Sequence, residues 1–276
     1  MSAARTVWAL RSLGRSFLFV VMLVVAAVDC MIRRPKVGAE GAVWIHGWCR
    51  RIVQVMGFRC VVEGRIPSDG AVVSNHLSYL DILLYSSVQP FVMVAKSEVR
   101  GWPILGWLTA QAGTVYVQRG GGPGTYPSVN AAMAEAFRSG LPVLFFPEGT
   151  TTDGAGVLPF RRGLFHSVLD NAVPLRTAAL RYSLDPNGAD GSATVGENVC
   201  WWGEMAFVPH LFSVLGLCGL SVAMRFGDEV RDRRDRFVLS ETAQARVALM
   251  YSELGGVAAK NFVGDPGREL AEVGLS

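Results

Sequence analysis

Apolar positions dominate the first 58 residues, where they recur at helical spacing. A continuous apolar run covers Phe17–Val28, with basic residues on both sides: Arg11, Arg15, Arg33 and Arg34. A helix needs about 20 apolar residues to cross a bilayer, and this run has twelve. We therefore expect a half-buried membrane anchor, and whether the run spans, dips into or lies on the bilayer stays open. A secretory signal peptide fits the charge pattern, but residues 26–30 offer no clear cleavage site.

A second amphipathic segment covers residues 43–56. Its apolar side chains include Trp44 and Trp48, and the basic side chains of Arg50 and Arg51 lie elsewhere on the helical turn. Tryptophans and basic residues on one amphipathic helix are typical of a lipid interface. A helix that faces a protein core has the same spacing, so both interpretations stay open.

Short apolar runs alternate with helical patterns after residue 59. The predicted strands are Cys60–Glu63, Ala71–Ser74, Phe91–Ala95, Thr114–Gln118, Pro142–Phe146, Val173–Leu180 and Val222–Phe226. The predicted helices are Leu80–Val88, Pro127–Arg138, Gly163–Asp170 and Ser240–Leu254, the last with Ser240 as N-cap and Glu241 in its first turn. This alternation indicates an α/β fold with a mixed, mostly parallel sheet flanked by helices. We expect membrane-associating helices over 1–58, a catalytic domain over 59–262 and a loosely structured tail over 263–276.

Composition and charge also favour contact with lipid. Half of the 276 residues are hydrophobic, and the mean hydropathy is +0.31. The net charge of +3 is uneven, since residues 1–65 contain ten basic and three acidic residues, which leaves −4 for the remainder. A basic, apolar N-terminus suits an anionic membrane surface. Nucleic-acid binding is disfavoured, because the basic residues flank apolar runs and form no polar stripe.

Cysteine usage argues against a metal site and a disulfide framework. The five cysteines are scattered, no CxxC pair occurs, and no Cys/His cluster has zinc-ligand spacing. Reduced, mostly buried thiols favour a cytosolic catalytic domain.

The first segment with candidate chemistry is residues 74–81, Ser-Asn-His-Leu-Ser-Tyr-Leu-Asp. It follows a predicted strand and opens a predicted helix, and such strand ends form the ligand crevice of α/β proteins. His76 can act there as a general base near neutral pH. Asp81, five residues later, can accept the other ring N–H and stabilise the imidazolium. A helix cap at Asn75 or Ser78 with an incidental histidine is the alternative.

Two further segments have polar residues at strand ends. Residues 144–150 (Leu-Phe-Phe-Pro-Glu-Gly-Thr) present Glu148 and Gly149 at a sharp turn, where a carboxylate and backbone N–H groups can meet a ligand. Residues 113–120 present Arg119, which can bind an anionic headgroup. Taken alone, each segment is better explained without function: a strand–turn junction with a solvated glutamate for the first and a surface arginine for the second.

Together and in this order, the three segments resemble the blocks of the lysophosphatidic-acid-type acyltransferases, the glycerolipid acyltransferases with an HxxxxD box. His76 to Asp81 has the family spacing, residues 113–119 resemble the second block and residues 146–150 the third. Val173-Pro174-Leu175 resembles the short fourth block, and Lys96 lies where the family often has a lysine. The resemblance covers about residues 60–230.

The resemblance implies a mechanism and a set of site residues. His76 deprotonates the hydroxyl of a lysolipid, Asp81 orients His76, and the oxygen attacks an acyl thioester on coenzyme A or acyl carrier protein. No acyl-enzyme is expected, in agreement with the absence of a G-x-S-x-G elbow. No metal or bound cofactor is implied. The implied substrate-binding residues are Asn75, Lys96, Arg119, Pro147, Glu148, Gly149, Thr150 and Arg161.

One departure from the family pattern concerns the acceptor. Many lysophosphatidic acid enzymes have an arginine where this chain has Thr151. Members that act on lyso-ornithine lipid or other lysophospholipids resemble this variant more, and Arg161 or Arg162 is a possible replacement for the missing cation. We expect 1-acyl-glycerol-3-phosphate as the acceptor, with lyso-ornithine lipid or another lysophospholipid as the alternative. A non-catalytic lipid-binding protein is a third hypothesis, disfavoured because His76 and Asp81 are both present.

Two aromatic segments complete the sequence-based expectations. Residues 201–205 (Trp-Trp-Gly-Glu-Met), followed by Pro209 and His210, resemble a late segment of bacterial family members, and we expect them to pack as a buried aromatic cluster. Residues 102–108 are rich in tryptophan and leucine, which suits lipid entry as well as core packing. The expected location is the cytoplasmic face of the inner membrane.

Overall fold

The computed structural model describes residues 3–118, 126–185 and 193–261. Within these ranges the strands form one seven-stranded sheet in the order β1-β7-β6-β2-β5-β3-β4. The strands are β1 (Arg59–Glu63), β2 (Ala71–Val73), β3 (Val92–Lys96), β4 (Val115–Val117), β5 (Val143–Phe145), β6 (Leu175–Leu184) and β7 (Leu220–Glu229). Neighbouring strands are parallel except for the antiparallel pair β6–β7. The predicted mixed, mostly parallel sheet is confirmed.

Helices cover both faces of the sheet and extend to the N-terminus. They are α1 (Ala3–Arg33), α2 (Ala39–Met56), α3 (Leu80–Val88), α4 (Leu105–Gln111), α5 (Tyr126–Arg138), α6 (Gly163–Asp170), α7 (Val195–Asn198), α8 (Phe207–Gly216) and α9 (Arg236–Asn261), with a 3₁₀ helix at Ser97–Gly101. The central strands β2 and β5 are buried along their whole length. Such uninterrupted apolar strands are expected where helices cover a parallel sheet on both sides.

The N-terminal helix is longer than the apolar run from which it was predicted. A stretch of 29 residues, Arg5–Arg33, is long and apolar enough to cross a membrane, and little of it is buried against the protein. The twelve-residue estimate was too short, because helical structure continues through the flanking arginines. Arg15 donates to the carbonyl of Leu217 at 2.7 Å, so the first half of α1 packs against the end of α8.

The last helix begins earlier than predicted. It starts at Arg236, and one carboxylate oxygen of Asp235 accepts the N–H groups of Phe237 at 2.7 Å and Val238 at 2.9 Å. Asp235 therefore caps the helix. The predicted N-cap, Ser240, lies inside the helix, where its hydroxyl donates to the carbonyl of Phe237. Helices α4 and α8 were not predicted, and the predicted tail over 263–276 lies outside the described residues.

The sheet topology places two of the sequence segments side by side. Strands β2 and β5 are parallel neighbours, with Val73 opposite Phe145. Since parallel strands end at the same edge, the loops that follow them share one crevice. These loops contain residues 74–79 and 146–162, which hold most of the predicted site.

Candidate active site

The ring of His76 and the carboxylate of Asp81 form a hydrogen-bonded pair. His76 lies in the loop after β2, Asp81 lies in the first turn of α3, and His76 Nδ1 is 2.8 Å from Asp81 Oδ2. The same oxygen accepts the backbone N–H groups of Leu77 at 2.7 Å and Ser78 at 3.1 Å. Asp81 is 0% exposed. The carboxylate therefore both holds the loop that precedes the helix and fixes the histidine ring.

A tyrosine that the sequence did not point to completes the surroundings of Asp81. Tyr182, near the C-terminal end of β6, donates its hydroxyl to Asp81 Oδ1 at 2.6 Å. Burial raises the pKa of Tyr182 well above its ordinary value, and the nearby carboxylate raises it further. The hydroxyl therefore stays protonated and acts as a donor. Four donors bind the two oxygens of Asp81. Hydrogen bonds from the protein therefore take the place of water around this buried carboxylate.

Glu148 holds the backbone of His76 and does not line the cavity. Its Oε1 accepts the N–H of His76 at 2.7 Å, and its Oε2 accepts the N–H of Leu158 at 2.8 Å. The residue is only 3% exposed. Burial raises the pKa of Glu148 to about 7, against the two backbone hydrogen bonds, which lower it. Its predicted contact with substrate stays a prediction, and its observed contacts position His76.

One ring nitrogen of His76, Nε2, is available for proton transfer. Phe146 stacks on it, with ring centroids 4.0 Å apart and an interplanar angle of 11°. Nδ1 is committed to Asp81, and Nε2 has no hydrogen-bonding partner among the described residues. The carbonyl of His76 accepts the N–H of Thr152 at 3.1 Å, so its backbone is held on both sides. A neutral imidazole in this setting carries its proton on Nδ1 and offers Nε2 as the base.

His76 lines a cavity of about 820 Å³. Five of the predicted substrate-binding residues share its wall: Lys96, Pro147, Gly149, Thr150 and Arg161. Helices α1, α2, α4 and α8 contribute apolar side chains that include Phe19, Trp44, Ile52, Leu108 and Leu211. Ligand sites are commonly concave, mostly apolar and of several hundred Å³. A cavity of this size and lining can accommodate an aliphatic chain next to a histidine base.

The remaining predicted binding residues differ in their placement. Asn75 is buried and does not line the cavity: its side chain donates to the carbonyl of Leu180 and accepts the N–H of Leu180, both at 2.9 Å. Asn75 thus ties the loop after β2 to the backbone of β6. Lys96 reaches the cavity but pairs with Glu98 at 2.8 Å. Arg119 lies outside the described residues.

The two neighbouring arginines proposed as replacement cations point to different places. Arg161 lines the cavity and packs over Gly149, where an added Cβ would lie 2.6 Å from Arg161 Nε. Gly149 also has φ of +71°, a conformation that disfavours side chains. Arg162 binds Glu241 and stacks on Phe237, away from the cavity. Of the two arginines, Arg161 is the one that lies on the cavity wall.

The late aromatic segment packs on the loop that holds His76. The backbone N–H of Trp201 donates to the carbonyl of Leu77 at 2.8 Å. His210 Nε2–H donates to the carbonyl of Cys200, so its Nδ1 accepts the hydroxyl of Tyr79, each at 3.0 Å. Burial lowers the pKa of His210, which favours this neutral form. Trp201 packs against Tyr79, and both line the cavity, but the expected buried cluster is wrong for Trp202, which is 41% exposed.

Comparison with known proteins agrees with this arrangement. The Acyltransferase family model matches residues 59–181. A lyso-ornithine lipid O-acyltransferase of Rhodobacter capsulatus is 37% identical over 61% of this chain and 60% of its own length. One from Brucella abortus is 33% identical over 76% of this chain and 86% of its own length. A 1-acyl-sn-glycerol-3-phosphate acyltransferase of Neisseria gonorrhoeae is 31% identical over 70% of this chain and 73% of its own length.

The fold has a counterpart among solved structures. The crystal structure of the 1-acyl-sn-glycerophosphate acyltransferase PlsC from Thermotoga maritima matches 91% of this chain and 98% of its own with a TM-score of 0.66, at 17% sequence identity. Fold and site together define an α/β protein with a His–Asp pair on the wall of an apolar, lipid-sized cavity. The chain belongs to the acyltransferase family, as the HxxxxD resemblance predicted.

Proposed function

We propose that this protein transfers a fatty acyl chain from an acyl thioester to the free hydroxyl of a lysolipid, with His76 as the general base. The observation that carries the proposal is the His76–Asp81 hydrogen bond of 2.8 Å on the wall of an apolar cavity. Such a pair can accept a proton and stabilise the resulting imidazolium.

The proposed step balances without an acyl-enzyme. The hydroxyl proton of the lysolipid passes to His76 Nε2 while its oxygen forms a bond to the thioester carbonyl carbon. The C–S bond then breaks, and the proton returns from His76 to the leaving thiolate. Asp81 does not change its protonation state, since its carboxylate is held by Tyr182 and two backbone N–H groups and stabilises the charged ring throughout. No bound cofactor takes part in this scheme.

Two acceptors are candidates, and each is favoured by a specific observation. Lyso-ornithine lipid is favoured by Thr151 in place of an arginine and by the identity of 37% to an enzyme named for that substrate. Its headgroup carries a single carboxylate, which one guanidinium, that of Arg161, can bind. 1-Acyl-glycerol-3-phosphate is favoured by a relative named for it that is aligned over 73% of its length. Its phosphate monoester would engage Arg161 together with Lys96.

We also propose that the protein works at a membrane, on the cytoplasmic face of the inner membrane. The long apolar helix α1 and the basic residues at its ends support membrane association. The five cysteines are unpaired in the structure, which is usual for proteins of reducing compartments such as the cytosol. Acyl-CoA and acyl carrier protein are both compatible donors.

An acceptor panel tests this proposal. Purified protein in detergent receives a labelled acyl donor with lyso-ornithine lipid, 1-acyl-glycerol-3-phosphate or lysophosphatidylethanolamine, and products are identified by mass spectrometry. We expect one acceptor to be acylated in a reaction that His76→Ala abolishes. Absence of acyl transfer with every lysolipid and both donors would overturn the proposal.

A further inference from the structure

The cavity that His76 lines has few charged side chains on its wall. Among the described residues that line it, the cations are Lys96 and Arg161, and the only acidic residue is Glu98. The two positive charges and one negative charge give this wall a formal charge of +1. A small number of charged or polar groups in an apolar cavity orients the ligand and sets its identity. An anionic headgroup accounts for the two cations and leaves Glu98 without a role.

Glu98 and Arg161 belong to segments that follow neighbouring strands. Strands β3 and β5 are parallel neighbours in the sheet. β3 ends at Lys96, two residues before Glu98. β5 ends at Phe145, and shortly beyond it the carbonyl of Pro147 accepts the N–H of Arg161 at 2.8 Å. Because parallel strands end at the same edge of a sheet, the carboxylate and the guanidinium lie on the same side of the cavity.

The carboxylate of Glu98 is charged and can accept a further donor. Its Oε1 lies 2.8 Å from Nζ of Lys96, and its Oε2 accepts the hydroxyl of Ser97 at 3.1 Å. The hydrogen bond from Lys96 lowers the pKa of Glu98. The side chain is 59% exposed, and a carboxylate offers about four acceptor positions. An ammonium group that enters the cavity can therefore bind Glu98 while Lys96 stays in place.

The pairing of Lys96 with Glu98 changes which headgroup the wall favours. Glu98 offsets the charge of Lys96, which leaves the charge of Arg161. A phosphate monoester carries about 1.5 to 2 negative charges at neutral pH, so it exceeds this remaining charge and is repelled by Glu98. A headgroup with one anionic group and one ammonium group matches Arg161 and Glu98 together.

We propose that Glu98 binds the ammonium group of a zwitterionic lysolipid headgroup whose anionic group binds Arg161. The inference rests on the proposed function in taking a lysolipid as the ligand. Two lysolipids share this chemistry: lyso-ornithine lipid, with a carboxylate and an amine, and lysophosphatidylethanolamine, with a phosphodiester and an amine. Glu98 thereby selects against the headgroup of 1-acyl-glycerol-3-phosphate, which has no amine.

Equilibrium binding without an acyl donor tests this role separately from catalysis. Full-length protein in detergent is titrated by calorimetry with short-chain lyso-ornithine lipid, with lysophosphatidylethanolamine, and with the N-acetylated form of each, in which the amine has lost its charge. 1-Acyl-glycerol-3-phosphate is titrated beside them. The variant is Glu98→Gln. Its matched control is Glu135→Gln, since Glu135 is 83% exposed, pairs with Arg138 and does not line the cavity.

For at least one of the two zwitterions, Glu98→Gln should raise the Kd about fivefold, the size expected for one exposed ion pair. The Kd of its N-acetylated form should change by less than about twofold. The Kd of 1-acyl-glycerol-3-phosphate should fall, because the wall loses a negative charge. Glu135→Gln should leave all of these Kd values unchanged. The zwitterion that shows the effect identifies the headgroup.

Equal changes for a zwitterion and its N-acetylated form would overturn the proposal, because Glu98 would then act only by holding Lys96. Unchanged Kd values for both zwitterions, or no binding of either, would overturn it as well. Acyl transfer to a lysolipid together with such a result would leave the proposed function intact. The expected titration without any acyl transfer would refute the proposed function alone.

Discussion

Tyr182 and Asp81 lie 101 positions apart in the sequence, and the tyrosine hydroxyl donates a 2.6 Å hydrogen bond to Oδ1 of the carboxylate. The other oxygen, Oδ2, receives His76 and two backbone N–H groups. Tyr182 is therefore the only side-chain donor among the described residues that acts on Oδ1. We infer that it is a positioning residue for the His76–Asp81 pair.

Tyr182→Phe should lower kcat by about tenfold to a hundredfold, because Asp81 loses the donor that fixes its orientation toward His76, and misplacement of a catalytic group costs about that much. The KM values for donor and acceptor should stay within about twofold, since Tyr182 does not line the cavity. Without this donor the carboxylate attracts the imidazolium more strongly, so the acid limb of the pH–rate profile should move to higher pH.

The control for Tyr182 is Tyr251→Phe, which removes another buried hydroxyl that binds a carbonyl, that of Gly154. It should leave the pH–rate profile in place. If both variants lose the same activity with unshifted profiles, the role of Tyr182 is structural packing only.

Asp81→Asn should keep the geometry and remove the charge. The N–H groups of Leu77 and Ser78 both point at Oδ2, so they select the rotamer that keeps the amide oxygen toward His76. The loss is then the attraction between carboxylate and imidazolium, about 4 kcal/mol at an effective dielectric constant of about 20. We expect kcat to fall about a thousandfold with an unchanged circular dichroism spectrum. Turnover close to wild type would remove Asp81 from this role.

The raised pKa of Glu148 predicts that the stability of the folded protein depends on pH. Its pKa is raised from an ordinary value of 4.5 to about 7 by burial. The folded state therefore binds more protons than the unfolded state between these values, and stability falls as pH rises from about 4.5 to about 7. In detergent, the thermal midpoint of the wild type should decline across this range relative to that of Glu148→Gln, which has no titrating group there. A constant difference between the two midpoints would contradict the shift.

Arg161 and Arg162 provide a matched pair for testing headgroup binding. Arg161→Gln should raise the KM for the acceptor by about tenfold, the expected size for one charged hydrogen-bonding partner at a partly exposed site. Arg162→Gln should have little effect, because its side chain binds Glu241 away from the cavity. Gly149→Ala should resemble Arg161→Gln, since its Cβ would displace the guanidinium. Equal effects of the two arginine substitutions on KM would argue against a headgroup role for Arg161.

The sequence was sufficient for the parts of the structure that depend on local patterns. Strand and helix positions follow the apolar periodicity, and the five-residue spacing of His76 and Asp81 brings the two side chains together across a strand–helix junction. The family follows from three motif blocks in a fixed order. These features require only neighbouring residues, and the structure confirms the fold that they predicted.

Contacts between residues far apart in the sequence could not be predicted from local patterns. The hydrogen bond of Tyr182 depends on β6 lying beside β2, which no local pattern specifies. Asn75 and Glu148 were interpreted from their motifs as ligand contacts, but their side chains bind backbone groups of Leu180, His76 and Leu158. Helix α8 contains Pro209 and follows a tryptophan-rich segment, so its apolar spacing was not recognised as helical.

The most direct test of the central claim compares two histidines in a single-turnover acyl-transfer assay. His166 pairs with Asp170 at 2.7 Å, as His76 pairs with Asp81, but it is exposed and does not line the cavity. We predict that His76→Ala lowers the rate by at least about a thousandfold while His166→Ala stays within about twofold of wild type. Retention of the wild-type rate by folded His76→Ala would contradict general-base catalysis at this site.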